Sequence, residues 1–124
     1  MKDLVFKKCF KCGALVQVLD DCVCFDCGIM CCGEEMREVK ANTADSAVEK
    51  HVPVFEVCDD YMNVSVNHVM EPDHYIEWIF VKTENGIYSK KFMPGDEPCI
   101  RVPYDEKAVL YSYCNEHGLW KREV

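Results

Sequence analysis

The sequence predicts a mainly β protein in two parts, a small metal-stapled head followed by an antiparallel β-sandwich. Three observations carry this reading. Seven of the ten cysteines (Cys9, Cys12, Cys22, Cys24, Cys27, Cys31 and Cys32) fall in the first 32 residues, whereas all four histidines (His51, His68, His74 and His117) follow residue 50. The later part holds six short runs rich in β-branched and aromatic residues, side chains that fit a pleated, half-buried surface. Pro53, Pro72, Pro94, Pro98 and Pro103 punctuate those runs, and proline disfavours long helices.

The head is expected over residues 1–38. Within it, Ala14–Leu19 is a short β-like run. A head of this size buries too little apolar surface to fold by packing alone, so a metal staple is expected. Residues 39–48 (VKANTADSAV) are small and polar and read as a linker or an exposed connecting strand. The body, residues 49–124, has candidate strands at Val52–Val57, Tyr61–Val66, Tyr75–Lys82, Ile87–Phe92, Ile100–Val102 and Val109–Tyr113. Glu84-Asn85-Gly86 separates two of them, and Asn-Gly is a strong hairpin signal. Short antiparallel strands at this spacing suggest a sandwich.

The chain has 124 residues and 49% of them are apolar, enough for a packed core. Its 14 basic and 22 acidic residues leave a net charge of −8, which argues against a protein that tracks nucleic-acid phosphates. The longest stretch free of charged side chains, Tyr61–Met70, is far too short to span a bilayer. Met1-Lys2-Asp3 lacks the apolar core of an export signal. A cytoplasmic protein is therefore expected, with neither a membrane nor a nucleic acid as partner. In that reducing compartment thiols stay free, and clustered thiols read first as metal ligands.

Cys9-Phe10-Lys11-Cys12-Gly13 forms a knuckle that directs two thiolates at one point. Cys31-Cys32-Gly33 supplies two more, giving a tetrahedral four-thiolate site suited to zinc or iron. Cys24-Phe25-Asp26-Cys27-Gly28 is a second knuckle of the zinc-ribbon and rubredoxin kind. Two pairs thus compete for the second half of the site. In the body, His51, His68, His74 and the Cys114-Asn115-Glu116-His117 segment flank strands or lie in loops, where a rigid sandwich can present them together. Neutral imidazoles suit iron, zinc or copper, and a thiolate adds a softer donor. A facial triad of His68, His74 and Glu71 or Asp73 is one rival. A Cys114–His117 nucleophile pair is another. Both leave other histidines without a role.

Glu49-Lys50-His51-Val52-Pro53, His74-Tyr75-Ile76-Glu77-Trp78-Ile79 and Tyr113-Cys114-Asn115-Glu116-His117-Gly118-Leu119-Trp120 resemble the signature segments of the desulfoferrodoxins, two-iron superoxide reductases. The head resembles desulforedoxin and the body neelaredoxin. The resemblance implies an immunoglobulin-like sandwich behind a desulforedoxin- or rubredoxin-like head, with two irons per chain. His51, His68, His74 and His117 would be the equatorial ligands of the catalytic iron and Cys114 its axial ligand. Cys9, Cys12, Cys31 and Cys32 would hold the second iron. Glu49 matches a glutamate that can take the sixth position, and Lys50 a lysine beside it. Superoxide as substrate, a rubredoxin-like electron donor and a homodimer are implied as well. Two features depart from the pattern. The segment before Cys31 is a few residues longer and carries Cys22, Cys24 and Cys27, and His68 is followed by Val69-Met70 where the family commonly has proline then methionine. Cys58 and Cys99 have no family role and read as buried free thiols.

The implied chemistry is one-electron reduction of superoxide to hydrogen peroxide. Four neutral imidazoles and one thiolate leave ferrous iron a formal charge of about +1 and one open position. Lys50 adds positive charge for a small anion. The alternatives are a rubredoxin-like electron carrier fused to a structural metal-binding sandwich, and a zinc-ribbon interaction module.

Overall fold

The structure is a computed structural model that describes residues 1–25, 27–44 and 47–124. The chain divides into two compact units, Met1–Lys40 and Ala41–Val124. In the first, β1 (Val5–Lys8) and β2 (Leu15–Val18) form an antiparallel hairpin. β3 (Met30–Cys31) and β4 (Glu34–Glu35) form a second, two-residue hairpin, and β5 (Arg37–Glu38) joins the first sheet in the order β2-β1-β5. Among the described residues of this unit, the buried apolar side chains are Phe6, Cys9 and Met36. So small a core cannot offset the entropy of ordering some forty residues, which is the physical reason to look for a metal site in this unit.

The second unit is a two-sheet sandwich. A 3-10 turn, Val48–Lys50, leads into β6 (Val54–Cys58), β7 (Tyr61–Ser65), β8 (Ile76–Thr83), β9 (Gly86–Lys91), β10 (Cys99–Pro103), β11 (Val109–Cys114) and β12 (Gly118–Glu123). One sheet runs β10-β7-β6 and the other β12-β11-β8-β9, all antiparallel. Strands one, two and five of the unit thus face strands three, four, six and seven. That is the immunoglobulin arrangement, with its fourth strand on the sheet of strands three, six and seven. Met62, Val64, Ile76, Ile79, Val81, Phe92 and Leu110 are at most 1% exposed and fill the space between the sheets. Among the described residues, no helix is long and apolar enough to cross a membrane.

The six expected body strands lie within two residues of their expected bounds. Two features differ from expectation. The β8–β9 turn uses Glu84 and Asn85, because Thr83 pairs with Gly86. Neither turn residue has positive φ; Thr83 Oγ1 stabilises the turn by accepting from the Asn85 N–H and donating to the Gly86 carbonyl. Strand β12 was not anticipated, since Lys121-Arg122-Glu123 masks its apolar start. It is an edge strand, where charge is tolerated and guards against edge-to-edge pairing. Asn42, in the stretch read as a linker, pins that edge. Its N–H donates to the Leu119 carbonyl at 2.9 Å, and its Oδ1 accepts from the Lys121 N–H at 2.9 Å.

Candidate metal centres

In the head, the loop between β1 and β2 turns back on itself at the first knuckle. The Cys9 N–H donates to the Ala14 carbonyl and the Gly13 N–H to the Cys9 carbonyl, at 2.9 and 2.8 Å. Gly13 takes φ +80° to close this turn, a conformation that glycine adopts without penalty. Opposite it, Cys32 and Gly33 are the central residues of the β3–β4 hairpin, with φ +52° and +76°. Positive φ at both positions defines a type I′ turn. A cysteine held there costs roughly 1–2 kcal/mol, which a metal–thiolate bond readily offsets.

These two turns bring Cys9, Cys12, Cys31 and Cys32 together, with all four sulfurs within 4.8 Å of one another. Cys12 and Cys31 Sγ are 3.6 Å apart and Cys31 and Cys32 Sγ 3.9 Å. A tetrahedral ion with metal–sulfur bonds of about 2.3 Å has sulfur–sulfur edges of roughly 3.8 Å. The donors therefore fit one ion. Their acidities fit as well. Backbone N–H groups of Cys12 and Lys11 hold the Cys9 thiol down to about 7. Neighbouring Cys12, Cys9 and Cys32 push the Cys31 thiol up to about 12. Four sulfurs in one cluster cannot all ionise without a cation between them. The rival pair is elsewhere. Cys24 and Cys27 are joined by a disulfide, where free thiols were expected, and Cys22 is a free, exposed thiol.

In the body, Cys114 ends the fully buried central strand β11. Pairing with β8 slips there, so Tyr113 opposes Trp78 but Cys114 opposes Ile76. This bulge re-aims the end of the strand. The three residues Asn115–His117 then turn into β12, closed by Gly118 at φ +75°. The turn aims the N–H groups of His117 and Glu116 at the Cys114 sulfur. Burial still raises that thiol overall, with these two donors opposing it.

Four imidazoles surround the thiol. Going round the ring from His51 to His68, His74, His117 and back, centroid distances are 4.7, 4.6, 5.0 and 4.9 Å, with neighbouring planes steeply inclined. His51 faces His74 across the square at 6.4 Å. His51 Nε2 lies 3.2 Å from His68 Nε2 and 3.1 Å from His117 Nδ1. Cys114 Sγ lies 3.5 Å from His68 Nε2 and 3.9 Å from His117 Nδ1. Adjacent donors of an octahedral ion are about 3 Å apart for bonds of about 2.1 Å. The His74 Nε2 is buried without a hydrogen-bond partner. A buried nitrogen left so is costly unless a metal takes its lone pair. Donor atoms of His51, His74, Cys114 and His117 all lie within 4.8 Å of one another, with His68 Nε2 beside His51 and Cys114, a set that fits one metal ion.

Three of the rings are oriented through Nδ1. His51 Nδ1 meets the Ala47 carbonyl at 2.7 Å, His68 Nδ1 the Val69 carbonyl, and His74 Nδ1 the Glu116 carboxylate at 3.3 Å. Such contacts fix which nitrogen is offered to the metal. Ser112 Oγ donates to the His51 carbonyl, and the Trp120 indole stacks on the His51 ring at 4.8 Å. Asn115 staples the His74 loop, accepting from the Tyr75 N–H and donating to the Asp73 carbonyl. Ser112, Asn115, Glu116 and Trp120 were not singled out from the sequence. Asn115, Glu116 and Trp120 fall within the signature segment around Cys114 and His117, which assigns them no role, and Ser112 lies just before it.

Glu49 and Lys50 lie in the 3-10 turn just before His51, and both are exposed. Glu49's charge reaches His51. Glu71 meets His74 through paired backbone hydrogen bonds, so its role there is to shape the loop. Cys58 and Cys99, expected to be buried, are half-buried free thiols.

Burial holds the His51 and His68 rings below the ordinary imidazole value of 6.5. The unfolded chain then takes up protons first. The metal-free body is expected to be most stable above pH 6.5 and to lose stability as pH falls through that value. Thermal melts at pH 7.5 and 5.5 test this, and an unchanged Tm would contradict it.

An immunoglobulin-like sandwich that closes four imidazoles and a thiolate around one point, in a chain with a separate four-thiolate knuckle, defines a class of two-iron, non-haem proteins. The desulfoferrodoxin family model matches residues 43–123. Desulfoferrodoxin of Nitratidesulfovibrio vulgaris is 42% identical, with 94% of each chain covered. The desulfoferrodoxin homolog of Archaeoglobus fulgidus is 39% identical, with 92% of each covered. Among solved structures, the superoxide reductase from Treponema pallidum aligns at TM-score 0.74 and 30% identity, covering 98% of this chain and all of that one. The chain belongs to the desulfoferrodoxin family.

Proposed function

We propose that the chain is a superoxide reductase that takes up superoxide, adds one electron and two protons, and releases hydrogen peroxide. The observation that carries this reading is the ring of four imidazoles around the buried Cys114 thiol, five donors that would hold one iron and leave it a place for substrate. Iron bound there supplies the electron. His51, His68, His74 and Cys114, with His117 through Nδ1, would hold it; Cys9, Cys12, Cys31 and Cys32 would hold the second iron.

The remaining work falls to the protein. Hydrogen bonds at Ala47, Val69 and Glu116 keep three rings in the orientation that presents Nε2. The N–H groups of Glu116 and His117 favour Cys114 as thiolate despite its burial. Lys50, exposed beside His51, supplies positive charge that draws a small anion toward a chain of net charge −8. Glu49 offers a hard carboxylate oxygen suited to the open position of the oxidised metal. The family membership supports these roles, together with a rubredoxin-like electron donor, a homodimer and a cytoplasmic setting.

Iron analysis of the purified chain, followed by superoxide consumption with dioxygen monitored, tests the activity. Two irons per chain and superoxide loss without dioxygen release are expected. One zinc per chain, or no superoxide loss, would favour a ribbon module or an electron carrier. Lys50→Ala should keep both irons yet slow the reaction with superoxide on the order of tenfold, with a weaker dependence on salt. Equal rates and salt slopes in pulse radiolysis would make Lys50 ordinary surface charge. Glu49→Ala should alter the absorption of the oxidised protein while leaving the reduced form's rate within about twofold; an unchanged oxidised spectrum would remove the carboxylate from the site.

A further inference from the structure

Three cysteines of the head stand outside its four-sulfur cluster, and all lie between residues 22 and 27. Cys24 and Cys27 are joined by a disulfide with Cα atoms 5.6 Å apart, while the other eight cysteines are free. The bridge closes so short a segment that it restricts the unfolded chain little and is a poor structural staple. It is also open to reagents. Cys24 is exposed and Cys27 half-buried, and the adjoining Val23 and Phe25 side chains are fully exposed. The free Cys22 Sγ lies 3.7 Å from the Cys27 carbonyl oxygen, which sets a third thiol at the bridge. An accessible cysteine with a resolving partner in reach is the arrangement of peroxide-reactive thiols.

We propose that Cys24 and Cys27 form a third redox site, a dithiol that reduces hydrogen peroxide and is regenerated by an external dithiol. The Cys24 thiolate attacks one peroxide oxygen; the O–O bond breaks, leaving a sulfenic acid on Cys24 and releasing water after protonation. Cys27 then attacks the Cys24 sulfur, the S–O bond breaks, a second water leaves and the disulfide forms. The two sulfurs have lost two electrons and one peroxide has become two waters. An incoming dithiol attacks the exposed Cys24 sulfur and displaces Cys27. Its second thiol then displaces Cys24, leaving the reductant as a disulfide. The choice of peroxide rests on the superoxide-reductase reading, in which the same chain releases it.

The test uses the iron-loaded 124-residue chain, reduced with dithiothreitol, desalted, and treated with hydrogen peroxide in about twofold excess. Quenching by alkylation and mapping peptides by mass spectrometry reads each thiol. The Cys24–Cys27 bridge should form at least tenfold faster than Cys58 and Cys99 lose their thiols, and dithiothreitol should reopen it. Cys27→Ser, combined with Cys22→Ser so that no neighbouring thiol can resolve it, should stop at a sulfenic acid on Cys24 that dimedone traps. Cys24 and Cys27 surviving peroxide as long as Cys58 and Cys99 would overturn the proposal. Loss of the head's iron absorption in Cys24→Ser or Cys27→Ser would overturn it too, by making these residues ligands. Peroxide is added directly, so the outcome does not depend on whether the chain reduces superoxide, which is measured separately.

Discussion

Cys114→Ser is expected to abolish the thiolate-to-iron absorption of the body centre and to slow superoxide reduction by at least about a hundredfold. Residues that only orient metal ligands typically cost 10- to 100-fold when removed, and Cys114 would be a ligand itself. Its thiol is fully buried, which raises it, and the N–H groups of His117 and Glu116 oppose that burial, so a bound cation would be what holds the sulfur negative. A serine hydroxyl is a harder donor and is far less acidic than a thiol. It is nearly isosteric, so the sandwich should still fold, and a urea melt close to the wild type's checks this. A retained band with full activity would show that the sulfur is not a ligand.

The second large effect is expected in the head. Cys31→Ser and Cys32→Ser should each lower the iron content from two to one per chain, with loss of the four-thiolate absorption. Cys24→Ser and Cys27→Ser should leave both irons in place. The geometry behind this contrast is the type I′ turn that sets Cys31 and Cys32 opposite the Cys9 knuckle, with Cys31 Sγ 3.6 Å from Cys12 Sγ and 3.9 Å from Cys32 Sγ. A head whose buried apolar side chains, among the described residues, are Phe6, Cys9 and Met36 should also lose much of its stability with the ion. Iron kept in the first two variants and lost in the second two would transfer the ligand role to Cys24 and Cys27.

Much of the sandwich was legible because strand signals are local. Val54–Cys58, Tyr61–Ser65 and Ile76–Thr83 announce themselves by β-branched and aromatic side chains, and the turns between them by Asp, Asn, Gly and Pro. Strand β12 was not, because an edge strand is held by its partner β11 and by Asn42 rather than by its own composition. The hairpin turn at Glu84–Asn85 is tighter than the Glu84-Asn85-Gly86 signal implies, for a related reason. Thr83's hydroxyl, not the glycine, sets that turn.

The candidate donors divide along the same line. Residue type and spacing were enough to nominate Cys9, Cys12, His51, His68, His74, Cys114 and His117, since ligand chemistry belongs to the side chain itself. Spacing left two cysteine pairs in competition for the rest of the head site. Only the fold separates them, by placing Cys31 and Cys32 on a hairpin that faces the knuckle and joining Cys24 to Cys27. The order of the four imidazoles around Cys114, the nitrogen each one presents, and the supporting roles of Ser112, Asn115, Glu116 and Trp120 are likewise tertiary. They depend on contacts between residues as far apart as His51 and His117, where a hydrogen bond's reach of about 3 Å is decided by how strands pack and carries no trace in local sequence.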